Sequence, residues 1–168
     1  MNILKQKTAL ILMCALATSA ILTSCATNME QIIHNGLEPY QHYGYIIDES
    51  GQKINGLIEL NAFGNIWMNQ GTIGFYPQAS INKAKQKGKK SIRATWYKSP
   101  ELKGYGYGNK TFVTKQVNLN IGRKYRMLEV LSENDKTYKF YSSENGQSDP
   151  AVYNILREKP NGELEWIK

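Results

Sequence analysis

The chain has 168 residues, a net charge of +7 and two cysteines, Cys14 and Cys25. One domain of this length can bury a true core. Two cysteines, both near the N-terminus, exclude a disulfide-stapled scaffold and a cysteine-built metal site, so packing must hold the fold.

The first segment reads as an export signal in three parts. Lys5 and Lys7 give a positive start with no acidic residue. Ala9 to Leu22 is an apolar run diluted only by Thr18 and Ser19, and its 14 residues fall short of the roughly 18 to 20 that span a bilayer as a helix. An ordinary secretory cut after Ala17 or Ala20 would strand Ile21 and Leu22 outside the signal. Cys14 follows the large Met13 and reads as an apolar filler.

Leu22-Thr23-Ser24-Cys25 closes this run and resembles a bacterial lipobox. A small residue precedes the cysteine and an aliphatic one stands three positions before it. The resemblance implies a diacylglyceryl group on the Cys25 sulfur, cleavage before Cys25, and often acylation of the new amino group. Each buried methylene adds about 0.8 kcal/mol, so two or three chains on one residue make release negligible. No transmembrane helix is then needed. Residues 1–24 are the expected signal peptide. The mature chain keeps a charge of +5, the +7 of the whole less Lys5 and Lys7. Ala26 and Thr27 lack the aspartate of an inner-membrane retention signal, and Glu30 alone does not make an acid-rich surface-export signal. The expected address is a bacterial cell envelope, at the outer membrane and facing the periplasm.

Residues 25–41 read as a lipidated tether and residues 42–168 as a β-rich domain. Gly36 and Pro39 argue against a continuous tether helix. A helical turn around Met29 to His34 fits, and Ile32, Ile33 and Leu37 are apolar enough to dock on the domain. Tyr43 to Ile47, the turn Asp48-Glu49-Ser50-Gly51 and Ile54 to Leu60 predict a hairpin. Ile66 to Met68 and Thr72 to Tyr76 flank Asn69-Gln70-Gly71 and predict another. Ser91 to Tyr97 alternates Ile92, Ala94 and Trp96 against Arg93, Thr95 and Tyr97. Thr111 to Val117 and Tyr125 to Leu131 are strand-like runs. Glu133-Asn134-Asp135 turns into Thr137 to Tyr141, and Pro160-Asn161-Gly162 turns Val152 to Leu156 into Glu163 to Ile167. About ten short strands with close turns predict an all-β antiparallel sandwich or open barrel. No stretch predicts an amphipathic helix of ten or more residues.

The order of these segments is similar to a group of exported bacterial β-rich proteins. The shared outline is Gly44-Tyr45-Ile46, Gly51 and Ile54-Asn55-Gly56, then Leu102 to Phe112, Leu128 to Leu131 and Tyr138 to Ser143. The resemblance brings a fold and no assigned activity.

Four features bear on chemistry. His34 and His42 could ligate a metal only with further donors such as Glu30 or Glu38, so no metal and no cofactor is expected. Gly104-Tyr105-Gly106-Tyr107-Gly108 precedes a strand and not a helix, which excludes a phosphate loop. Its alternation puts glycines on one face and tyrosines on the other. Lys83, Lys85, Lys87 and Lys89 point one way if the segment is extended, making either a contact with an anionic surface or a lysine-guarded edge. Ser142 to Asp149 reads as a loop, and Glu129, Glu163 and Glu165 as solvent-facing carboxylates. The expectation is a membrane-anchored envelope protein without catalysis, in contact with other envelope proteins or glycans and with no nucleic acid. The alternative is a glycan- or ligand-binding module using exposed Tyr105, Tyr107, Trp67 or Trp96.

Overall fold

The computed structural model describes residues 26–29, 36–60, 70–119, 122–141 and 153–167. Among these residues the chain forms β1 (Ala26–Asn28), β2 (Gln41–Ile47), β3 (Lys53–Glu59), β4 (Thr72–Pro77), the helix α1 (Gln78–Gln86), β5 (Ser91–Arg93) and β6 (Thr95–Lys98). A short 3-10 turn, Ser99–Glu101, leads to β7 (Gly104–Tyr107), β8 (Lys110–Leu119), β9 (Gly122–Ser132), β10 (Thr137–Tyr141), β11 (Tyr153–Glu158) and β12 (Leu164–Ile167). Ten strands pair in the order β12-β11-β10-β9-β8-β7-β2-β3-β4-β6, and β1 pairs with β5. The class is all-β and antiparallel as expected, and the sheet stays open without closing into a barrel.

Local chemistry sets the tight turns. The Asp48 carboxylate accepts from the Ser50 hydroxyl at 2.6 Å and the Gln52 amide at 2.8 Å, while Gly51 takes the left-handed conformation at φ 91°. This closes β2 onto β3 with Ile47 opposite Lys53. Asn161 and Gly162 do the same between β11 and β12.

The sheet buries opposite faces at its two ends. Ile46, Ile58, Ile73, Phe75, Tyr105, Phe112 and Met127 form one core on one face. Val117, Leu128, Tyr138, Phe140 and Leu156 form another. Side chains alternate along a strand, so neighbouring Met127 and Leu128, both 0 % exposed, feed the two cores from opposite sides of β9. A strand buried on both faces carries apolar residues side by side, which explains Met127 next to Leu128; Leu131 further along β9 is exposed. The Ser99 hydroxyl donates to the Tyr125 carbonyl at 2.9 Å and so ties the β6 end back to β9.

A third core lies under α1. Met29, Leu57, Tyr76, Ile81 and Ala84 meet there, with Leu37, Ile92 and Ala94 packed alongside. Met29 is 2 % exposed, and its amide donates to the Lys90 carbonyl at 2.8 Å. The start of the expected tether therefore docks on the domain. Ala26, Thr27 and Asn28 pair with Arg93, Ile92 and Ser91, because β5 offers an edge and Met29 an apolar plug. The single strand expected over Ser91 to Tyr97 also divides. Ala94 ends one pairing, but the alternation continues: Ile92 and Ala94 pack under α1, Tyr97 packs on the first core from the opposite face, and Trp96 is exposed.

Glu158 ties three strands at the β12 end. It accepts from Lys115 Nζ at 2.7 Å and Tyr138 Oη at 2.9 Å, and lies 3.6 Å from Lys136 Nζ. The Lys115 hydrogen bond is the main reason that its carboxyl is held below the usual range, with Tyr138 and the Lys115 and Lys136 charges adding to it and burial opposing. Burial and the bond to Glu158 push the Tyr138 phenol up to about 12. A lowered carboxyl pKa contributes stability above its unfolded value, and that stability is lost as pH falls through the folded one. Urea unfolding followed from about pH 6 to about pH 3 should therefore show a steep acid loss in the wild type, concentrated below the ordinary carboxyl value of 4.5. Glu158→Gln should flatten that limb. An unchanged acid slope in the variant would show that this carboxylate does not hold the strands.

Candidate functional site

Two clusters of polar side chains stand out. The first is enclosed by β7, β8, β9 and β10. Glu129 on β9 is 9 % exposed, which corrects the solvent-facing role expected of it. Its Oε2 accepts from Tyr141 Oη at 2.6 Å, and its Oε1 lies 3.7 Å from Lys110 Nζ. Gln70 clamps β10 by donating to the Tyr141 carbonyl at 2.7 Å and accepting from the Tyr141 amide at 3.3 Å. Tyr105 stacks on Phe112 at 4.4 Å, and His42 stacks on Tyr107 at 4.4 Å.

The electrostatics of this cluster favour neutral groups. Burial, then the charge of Lys110, lowers the His42 pKa, so its imidazole is neutral at physiological pH. Burial raises Tyr107, with Glu129 adding to it. Burial, then the hydrogen bond to Glu129, raises Tyr141. Tyr105 is raised well above its ordinary value, mainly by burial. Phenols held this high stay protonated, and that of Tyr141 donates to Glu129; they supply neither base nor nucleophile. The space left among them is about 10 Å³, the lower limit for one water. The bonds of Tyr141 to Glu129 and Gln70 make the cluster a polar layer within the core.

The second cluster is an open groove between α1 and β5. Lys83 comes from the last turn of the helix, Lys87 and Lys89 from its cap and the turn that follows, and Arg93 from β5. Ser80 and Ser91 add hydroxyls, and Ala84 and Ile92 form an apolar part of the lining, around a volume of about 500 Å³. Among the described residues the ion pairs use Lys110, Lys115, Lys136 and Lys159; none uses the four groove cations. Ile81 to Ser99 contains no acidic residue.

The helix corrects the expected lysine face. Extended backbone would align Lys83, Lys85, Lys87 and Lys89, but a helix turns about 100° per residue. Ile81 and Ala84 are buried, and Lys83 and Lys87, four residues apart, share the flank that opens on the groove. Lys85 falls on the other flank and does not line it. Gly88 at φ 60° stops the helix, and the turn beyond it brings Lys89 to the groove. Arg93 belongs to the same basic stretch of the sequence; its place opposite Ala26 is a long-range pairing that no local pattern announces.

Among the described residues the aromatic candidates Tyr105, Tyr107 and Trp96 do not form a strip. Tyr105 is 1 % exposed, which corrects its expected exposure: Ile46, its partner on β2, and Phe112 cover it. Tyr107 is half-buried under His42. Trp96 is 46 % exposed, but β4, β3 and β2 separate its strand from β7. Trp67, His34, Cys25 and the Ser142 to Asp149 segment lie outside the described residues. Glu163 is exposed, and Glu165 lies 3.3 Å from Lys159 Nζ. No group of three histidine, cysteine or acidic side chains suited to a metal occurs among the described residues, and no helix among them is long and apolar enough to cross a membrane. Comparisons with protein-family models, curated proteins and solved structures find no match to this chain.

Proposed function

We propose that this protein is a lipid-anchored envelope domain with an interaction role and no catalysis, tied to its membrane through Cys25. One observation carries the reading. Ala26, the residue bonded to the lipobox cysteine, already belongs to a strand, and its partner Arg93 borders the basic groove. The chain thus passes from anchor to folded domain at the edge where positive charge gathers. A tether of many free residues would let the domain tumble; an anchor next to β1 holds one side of it near the headgroups. The absence of an aspartate after Cys25 favours the outer membrane, with the domain in the periplasm.

The experiment is metabolic labelling with a palmitate analogue, followed by fractionation. Wild-type protein takes up label and stays with membranes. Cys25→Ser takes up none, and it accumulates as an uncleaved precursor or as soluble protein. A wild type that incorporates no label would overturn the anchor. Protease added to intact cells should spare the domain; its removal while a periplasmic control survives would place it on the surface instead.

A further inference from the structure

Resting on the anchored reading, we propose that the groove between α1 and β5 binds a phosphate-bearing anion, supplied in the cell by a lipid headgroup of the anchoring membrane. Three observations converge. Lys83, Lys87, Lys89 and Arg93 face one open volume of about 500 Å³, within the range of small-ligand sites. Among the described residues no carboxylate pairs with any of them. Like charges that share a groove repel one another, and an anion at their centre converts that repulsion into attraction. The hydroxyls of Ser80 and Ser91 add donors for phosphate oxygens, and Ala84 and Ile92 offer apolar surface to a glycerol backbone.

A competing account makes these lysines partners of the helix dipole. Cations in a last turn are stabilising there, and Lys83 and Lys85 both occupy it. That account treats Lys83 and Lys85 alike. It gives no reason for Arg93 on β5 or for Lys89 beyond the helix to join them. The groove includes Lys83 and omits Lys85, so Lys85 is the internal control.

Amine footprinting with mass spectrometry separates the two accounts. The full lipidated chain is reconstituted into nanodiscs of phosphatidylcholine, with or without phosphatidylglycerol, and acetylated briefly. Phosphatidylglycerol should lower the reactivity of Lys83, Lys87 and Lys89 about fivefold. Lys85 and Lys124 should keep theirs. The protection should vanish at about 1 M salt, where screening acts within about 3 Å. A parallel titration with inorganic phosphate, on the full chain in neutral detergent, distinguishes the sources. Protection by phosphate as well as by phosphatidylglycerol means that free phosphate suffices, whereas protection by phosphatidylglycerol alone assigns the headgroup. Lys87→Gln with Arg93→Gln should abolish protection of Lys83 and Lys89 while near-ultraviolet circular dichroism stays unchanged. Equal protection of Lys85, or protection of none, would overturn the site. The intact mass of the same sample reports the lipid on Cys25, so failure of the anchor is scored separately, and the phosphate titration does not depend on it.

Discussion

Gly44→Ala is expected to lower the unfolding free energy by about 3 kcal/mol, at the upper end of what overpacking costs. Gly44 sits mid-strand on β2, opposite Gly56 of β3 and Tyr107 of β7. A methyl group there would overlap the Gly106 carbonyl oxygen and press on Tyr107 Cβ at 3.1 Å. The obstacle on one side is backbone, which cannot swing aside like a side chain. The β2–β7 ladder would have to part, and the His42–Tyr107 stack with it. Gly122→Ala is the comparison. Its φ is 102° and nothing lies within 4 Å of the added methyl, so it carries only backbone strain, about 1 to 2 kcal/mol. Urea midpoints of the two variants should rank in that order. A Gly44→Ala protein as stable as the wild type would mean that the two strands tolerate separation, and that the ladder does not fix the position of Tyr107.

The β2–β3 and β11–β12 hairpins were legible because their causes are local. The one expected across Asn69-Gln70-Gly71 is not among them: Ile66 to Met68 lie outside the described residues, and β4 pairs with β3 and β6. Asp48 to Gly51 and Pro160 to Gly162 contain the side chains and the left-handed residue that their turns use, and the flanking β-branched and aromatic runs fall in strands. The helix was not, because its apolar stripe is only Ile81 and Ala84, and its lysines at alternate positions read equally well as an extended face. The opposite burial of Met127 and Leu128 needed two cores on two sides of one strand, which periodicity alone does not report. Glu129 shows the same limit. A carboxylate inside an apolar run is the one local hint of burial, but its partners come from β8 and β10. The docking of Ala26 to Met29 depends on an edge of β5 more than sixty residues away. What sequence could not supply is this set of long-range pairings; the basic groove is lined from the single stretch Ser80 to Arg93 and depended on recognising the helix.

The largest polar effect should come from Glu129→Ala, at about 2 to 4 kcal/mol. The substitution removes the acceptor of the buried Tyr141 hydroxyl and the counter-charge of Lys110 together. A buried donor left without a partner costs about 1 to 3 kcal/mol, and the missing side chain adds a cavity next to Tyr105 and Phe112. Glu129→Gln keeps an acceptor for Tyr141 and nearly the same volume, so its loss should be much smaller. Tyr141→Phe takes away the donor instead, and the double variant with Glu129→Gln should lose less than the sum of the two single changes. Chemical denaturation of the four proteins supplies the cycle. The sign of the first result carries the functional weight. Loss of stability in Glu129→Ala fits a polar layer that fastens β9 to β10. A gain would mean that the buried carboxylate is kept at a cost to folding, as binding and catalytic groups are. The enclosed tyrosines, and not the basic groove, would then be the place to look for a ligand.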